Sequence, residues 1–378
     1  MKIGVVTLWN GNDNYGMILQ CWALQKYLER LGHHPFVIKY DAKGNLLKRF
    51  LKELLFILKV PFDEKQRECY RQRRYNEEKN KLRDFDSFRK KYLRFSNLTY
   101  YYVEKLKIFP PNADCYISGS DQIWRGSLRY KNIKGYFLDF GPDSVRRISY
   151  APSFGMSKYY EGENNLLANA LKKYDAISCR EYDGIAICKD VGFDAIKVED
   201  PTLLLEKKEY EELCSPISKR DYIFIYSLNI TDPSQIFWEE LKQMRNNHDF
   251  IVTPASGYNP SKEVFGEDLY YYYATPQEWL SLVRGADMVV TSSFHGVVFS
   301  IIFNVRFSYV PLSGKIATAN NRVTDLLHNL QMDFAIVDSG KDYSKLLGMD
   351  YQWERVNKMK GQLIKQSCDY LDRALSEG

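Results

Sequence analysis

Short runs of β-branched and aromatic residues alternate with helix-period stretches twice along this 378-residue chain, and that rhythm restricts the fold more than any single motif. The first series opens with KIGVVTL (2–8), a strand pattern. A polar loop, WNGNDNYG (9–16), follows. Met17, Cys21, Leu24, Leu28 and Leu31 then recur at spacings of four and three, placing an apolar stripe on one helix face, with Gly32 positioned to end it. PFVIKY, DCYISG, RRISYA, DAISC and AIKVED continue as strands, with helices at 162–173 and 182–190. A charged junction follows Asp200-Pro201. The second series then runs YIFIYSL (222–228), a helix near 234–246, DFIVTP, a helix near 276–284, DMVVTSS, a helix from Gly296 to Phe303, RFSYV and a helix around 321–330.

Alternation of this kind builds parallel sheets covered on both faces. We expect an α/β protein of two Rossmann-like, doubly wound domains facing a cleft. Their expected bounds are 1–205, with a basic helical insertion at about 43–95, and 206–350; a helix over 351–378 would pack back on the first domain. Ligands of such sheets sit beyond the carboxyl ends of the strands, so the cleft is the expected site.

With 45% hydrophobic and 27% charged residues, a disordered or fibrous chain is excluded. No window approaches the ~20 apolar residues of a membrane span, and the first apolar run is too short for a secretory signal. Seven cysteines without a C-x-x-C pair lead us to expect reduced thiols and a cytoplasmic location, at or near the inner face of the cytoplasmic membrane. The net charge of +5 is uneven, because residues 43–95 hold 17 Lys or Arg against 8 Asp or Glu. Within that segment LLKRFLKELLFILKV (46–60) joins a broad apolar face to lysine-bearing edges, a pattern suited to peripheral contact with an anionic bilayer. A solvated basic surface over an ordinary core helix accounts for the same residues equally well. The charge is local and no recognition motif accompanies it, so nucleic acid is not an expected partner. The tyrosine runs at 100–102 and 270–273 read as packed strands.

DMVVTSSFHGVVFSIIFNVRF (287–307) carries the strongest chemical signal: a strand, a Ser-Ser-Phe-His-Gly turn and an apolar helix. Backbone N–H groups at such a helix start have no internal partners and the helix dipole is positive there, so Ser292, Ser293 and those amides would hold a phosphate, with His295 at the mouth. Serines also cap helices without binding anything. Arg180, directly after DAISC, offers a planar fork to a carboxylate or phosphate. Arg306 and Arg322 are expected at the solvated surface, while Lys315 stays open between surface and site. Asn14 and Tyr15 in the first loop, and Asp121 and Gln122 after DCYISG, would face the cleft from the other side and bind a hydroxyl-rich acceptor; as turn residues they would also serve without a ligand. There is no P-loop, no G-x-G-x-x-G after the first strand, no H-E-x-x-H and no G-x-S-x-G elbow, so nucleotide hydrolysis, dinucleotide redox chemistry and zinc proteolysis lose support. The histidines lack ligand spacing and no metal is expected.

Taken together, KIGVVTLWNGNDNYGMILQCWALQKYLERLG, YISGSDQIW, RRISYAPSFG, ISCREYDG, VEDPTLLL and TPQEWLSLVRGADMVVTSSFHGVVFSIIFN resemble the polysaccharide pyruvyl transferase family in order and spacing. The resemblance implies a GT-B-like glycosyltransferase architecture and transfer of pyruvate from phosphoenolpyruvate to a sugar of a bacterial surface polysaccharide precursor, closing a pyruvate ketal, without a cofactor or an obligatory metal. The acceptor it implies is a polyprenyl diphosphate-linked oligosaccharide. It assigns the donor-binding arginine to Arg180, the catalytic histidine to His295 and a donor-contacting lysine to Lys315. Many relatives carry an arginine two residues before the histidine, where this chain has Ser293, so that role would pass to Arg306 or Lys315. Two alternatives stand beside this reading: a GT-B nucleotide-sugar-dependent glycosyltransferase, which needs a base-and-ribose pocket that no motif marks, and a non-catalytic membrane scaffold, which would tolerate changes at Arg180 and His295.

Overall fold

The computed structural model describes residues 1–11, 13–42, 46–244, 248–255, 261–266 and 268–376, with the side chains of 46–49, Ser261, Glu263 and Lys315 outside that description. The strands are β1 (Lys2–Val6), β2 (His34–Tyr40), β3 (Phe95–Tyr100), β4 (Cys115–Asp121), β5 (Arg146–Pro152), β6 (Ser178–Cys179), β7 (Ile196–Lys197), β8 (Tyr222–Tyr226), β9 (Asp249–Val252), β10 (Tyr270–Tyr271), β11 (Met288–Thr291) and β12 (Phe307–Tyr309). Two five-stranded sheets form, ordered β3-β2-β1-β4-β5 and β10-β9-β8-β11-β12, and β6 pairs with β7 beside them. Every pairing is parallel. The two large sheets thus share one doubly wound order, with a switch point between β1 and β4 in the first and between β8 and β11 in the second. All five residues of β8 and all four of β11 are buried, as expected for strands covered on both faces.

Differences from the sequence reading have local causes. The helix near 234–246 is broken into a 3₁₀ turn (Pro233–Ile236) and a short helix (Trp238–Gln243), because Phe237 between them takes a left-handed conformation. The basic insertion is shorter than 43–95. Helices Leu46–Lys59 and Glu64–Leu82 form it, and the chain then re-enters the body at Arg83, with Phe85 and Phe88 buried ahead of the edge strand β3. Residues 43–45 lie outside the described ones. The last helix, Trp353–Ser376, crosses the junction: Asn357 bonds Asn304 of the second half, whereas Tyr370 donates to the Ser149 carbonyl and Arg146 to that of Ala374 in the first.

One apolar core cluster runs from β1 and β4 through to β8, β11 and β12, so the two halves meet across packed side chains instead of solvent. Tyr15 lies at that seam. Its ring stacks on Trp279 at 5.2 Å, its hydroxyl donates to the Ala274 carbonyl at 2.6 Å, and the wholly buried Arg83 donates to the same hydroxyl at 3.1 Å. Removing the hydroxyl would leave the Ala274 carbonyl and Arg83 short of partners, at about 1–3 kcal/mol for a buried polar group. Tyr15→Phe is accordingly expected to lower unfolding stability by about that amount, read as a shifted denaturation midpoint at unchanged slope.

Candidate functional site

The loops leaving both switch points converge on one cavity of about 340 Å³. From the first half, Leu8, Gly11 and Asn14 follow β1, and Asp121, Gln122 and Arg125 follow β4; from the second, Leu228 and Asn229 follow β8, and Ser292 to His295 follow β11. Ile316 and Arg322 close the outer side. Two helix N-termini reach this cavity, one from each half: Tyr15–Arg30, capped by Asn14, and Phe294–Phe303, capped by Ser293. Both dipoles present partial positive charge to the same space. A larger open groove, about 770 Å³, runs along Lys2, His34, Phe36 and Leu98, but it lies toward the amino ends of β1 and β2 and gathers no buried titratable cluster.

Behind the cavity wall lies a charged cluster that crosses the seam. Asp200, wholly buried where the first half ends, accepts from Arg180 Nη1 at 2.8 Å and from Ser120 at 2.9 Å through one carboxylate oxygen, and from the Thr202 amide and hydroxyl through the other. His295 Nε2, brought by the helix of the second half, stands 3.6 Å from the same Asp200 oxygen. Burial on its own would raise the Asp200 pKa, but the charges of His295 and Arg180 and the hydrogen bonds hold it well below the usual carboxylate range. Arg180 Nη2 also lies 3.5 Å from Asp121 Oδ1, and Asp121 holds a left-handed backbone at the end of β4. The guanidiniums of Arg180 and Arg322 both sit over the Phe294 ring, at 4.7 and 5.6 Å. Burial, and next the neighbouring Arg180 charge, push the Arg322 pKa down.

His295 has little freedom. A Cβ on Gly16, in the first turn of the opening helix, would overlap the imidazole at its Nδ1 edge, so the ring fits only because that position is glycine. In the helix Phe294–Phe303 that carries the histidine, a Cβ on Gly296 would overlap Thr291. The ring is therefore clamped between one helix start and the Asp200 carboxylate.

The residues singled out from sequence divide clearly. His295, Asn14, Asp121 and Gln122 line the cavity, and Arg180 stands directly behind it on Asp200. Ser292 lines it too, but its hydroxyl both accepts from and donates to the Leu228 backbone, and Ser293 caps its helix through Gly296; both hydroxyls are engaged by the chain. Tyr15 is a correction: it is a core residue of the seam, fully buried and bonded at its hydroxyl, and offers nothing to an acceptor. Arg306 is another. It precedes β12, at the amino end of the sheet, exposed and donating to the Met349 carbonyl, away from the carboxyl-end cleft. Arg322 instead, expected at the surface, lines the cavity. The Lys315 side chain lies outside the described ones.

Sequence reasoning missed Asp200, Glu181 and Arg125. Glu181 is buried beside Arg180, accepts from the Phe154 and Gly155 amides, and has its pKa raised, by burial first. Buried side-chain atoms without a hydrogen bond among the described residues include Gln122 Nε2, Arg180 Nε, Glu181 Oε2, His295 Nε2 and Arg322 Nε. Five of them gather around this one cavity and the cluster behind it.

Because the folded Asp200 pKa lies below its unfolded value of about 3.9, its contribution to stability is fully present above that pH and is lost as pH falls toward the folded value. Asp200→Asn, which leaves Arg180 buried without its counter-charge, should cost about 3–5 kcal/mol near neutrality. Urea unfolding measured from pH 7 to 3 should show the variant losing less stability than the parent as the solution is acidified.

No curated protein matches the chain. Among solved structures, the S. aureus MnaA–UDP co-structure is 9% identical at a TM-score of 0.50, over 99% of this chain and 96% of that one. A UDP-N-acetylglucosamine 2-epimerase from Rickettsia bellii is 8% identical at a TM-score of 0.50, over 98% and 97%. At such identities the likeness speaks for fold alone: two Rossmann-like domains about a cleft, the GT-B arrangement. The model of one family, described as polysaccharide pyruvyl transferase, matches residues 14–313, from the cap of the opening helix, after β1, to the loop after β12. With that match spanning most of its length, the chain belongs to the polysaccharide pyruvyl transferase family.

Proposed function

We propose that this transferase moves pyruvate from phosphoenolpyruvate onto two hydroxyls of a sugar, as a ketal, in the cavity between the halves. The observation that carries the reading is the pairing of His295 with ionised Asp200 at the wall of a cavity served by two helix N-termini and by Arg322 and Arg125. Phosphoenolpyruvate bears a carboxylate and a phosphate, and both ends are matched by cations and helix dipoles.

The reaction needs one proton delivered and two removed. The donor's C2–C3 π electrons take a proton at C3, leaving an oxocarbenium-like C2 that one sugar hydroxyl attacks, losing its proton. The C2–O bond to phosphate then breaks with its electron pair, and a second hydroxyl adds at C2 and loses its proton. Products are the ketal and inorganic phosphate. His295 suits proton delivery because histidine exchanges protons near neutral pH. Nε2 stands 3.6 Å from Asp200 without a hydrogen bond among the described residues, and Gly16 leaves the room the ring needs. Arg180 acts one step back, through Asp200. The acceptor would enter over Asn14, Asp121 and Gln122, carried on a polyprenyl diphosphate at the inner membrane face.

Incubating the protein with phosphoenolpyruvate and an oligosaccharide diol should yield the pyruvate ketal by mass spectrometry, with one phosphate released per ketal. Thermal stabilisation by a nucleotide sugar and none by phosphoenolpyruvate would overturn the reading in favour of glycosyl transfer. His295→Ala should lower turnover by about 10²–10⁴-fold with the fold intact. Gly16→Ala, which touches the ring only through its methyl, should also lose most of the activity while phosphoenolpyruvate still shifts the melting temperature.

A further inference from the structure

The helix Leu46–Lys59 displays an apolar face that nothing in the described chain covers. At about 100° per residue, positions 50, 51, 54, 55 and 58 share one side, and Lys52 and Lys59 run along its flank. Phe50, Leu55 and Leu58 are 64%, 58% and 58% exposed. Phe62, just beyond the helix, is 89% exposed. The side that does find a neighbour is the other one: Glu53 pairs with Arg73, and Phe56 lies beside Tyr70 and under the Arg73 guanidinium. The second helix, Glu64–Leu82, has no buried residue. The pair is therefore an arm whose apolar side is turned out by its own internal contacts.

We infer that this arm docks on an anionic lipid bilayer, with the helix Leu46–Lys59 lying in the interface plane. Charge selects that occupant: residues 46–82 hold 11 Lys or Arg against 6 Asp or Glu, an excess as large as the +5 of the whole chain. Apolar side chains flanked by lysines match a surface of acyl chains beneath acidic headgroups.

Both feet of the arm stand on the loop that forms the cavity wall. Trp9 donates to the Tyr40 carbonyl, two residues before Ala42. At the other foot Asn80 donates to the Asp13 carboxylate at 2.7 Å, Arg83 to the Asp13 carbonyl at 2.5 Å, and Arg89 to the Trp9 carbonyl at 3.1 Å, with a further ion pair between Arg89 and Asp13. Gly11 and Asn14 of that same loop line the cavity. A bilayer holding the arm thus fixes the height and tilt of the cleft. That this presents a lipid-borne sugar to the cavity rests on the function proposed above; the docking does not, and is measured without turnover.

The test is co-sedimentation of the full-length protein with phosphatidylglycerol-containing vesicles and with phosphatidylcholine vesicles. The parent should bind the anionic vesicles, weaken as salt rises, and bind neutral ones poorly. Lys52→Gln/Lys59→Gln should bind about thirtyfold more weakly, at about 1 kcal/mol per charge and a tenfold change per 1.4 kcal/mol. Leu51→Gln/Leu55→Gln/Leu58→Gln should lose vesicle binding and keep its melting temperature, since those side chains are already exposed. No binding at low salt, or binding that the leucine variant leaves unchanged, overturns docking. So does a leucine-dependent dimer in size-exclusion chromatography with no vesicle binding, which would assign the face to a second copy. Soluble diol acceptors should still be converted by the leucine variant; loss of that conversion in the parent as well would count against the function and not against the docking.

Discussion

The molecule turns on one carboxylate that neither half satisfies alone. Asp200 is supplied by the first half, where Arg180, Ser120 and Thr202 bond it, and it is reached across the seam by His295 from the second. An ionised group without water is tolerable only when paired and hydrogen-bonded. Separating the halves would cost Asp200 one neighbour and would also expose the stacked Tyr15 and Trp279 rings to solvent. Polar and apolar terms thus favour the same closed arrangement, and His295 gains a fixed carboxylate partner as part of it.

The repeated sheet order explains why the charges meet where they do. A parallel sheet with its switch between the first and fourth local strands leaves a crevice at their carboxyl ends. Two such sheets placed with those ends facing convert two crevices into one cavity. Each half then delivers a helix start, and the positive ends of two macrodipoles point into the same small volume. The topology thus gathers partial positive charge in one place before any side chain is chosen, and Arg322, Arg125 and His295 line the same cavity.

How much of this the sequence discloses depends on whether a residue's role is local. Arg180 and His295 were legible because each directly follows a strand or opens a helix, so the period of the pattern alone sends them to the carboxyl ends. The two doubly wound halves were legible for the same reason. Asp200 was not: Asp-Pro reads as a junction, and the facts that make it central are partners 20 and 95 positions away. Tyr15 misled because the loop after β1 looks like ligand-binding loop at every position, whereas the stacking partner Trp279 is in the other half of the chain. Arg306 precedes a strand, and so lies exposed at its amino end as expected, while Arg322 rides a helix whose docking only tertiary packing decides and is brought into the cavity. The arm shows the limit in the other direction. Its amphipathic pattern was plain, but only the contacts of Glu53 and Phe56 with the second helix reveal that the apolar face is the one left uncovered.

The unbonded polar atoms around the cavity bear on what the site is built to do. Each buried donor or acceptor without a partner costs about 1–3 kcal/mol, and Gln122, Arg180, Glu181, His295 and Arg322 each contribute one. A fold of ordinary marginal stability retains such a debit where function requires it. Arg322 carries the argument furthest, since burial and the adjacent Arg180 disfavour its charged form. Asp121, with its left-handed backbone at the end of β4, lies where two arginines approach, 3.5 and 3.9 Å away, and its carboxylate offsets the repulsion between the two cations.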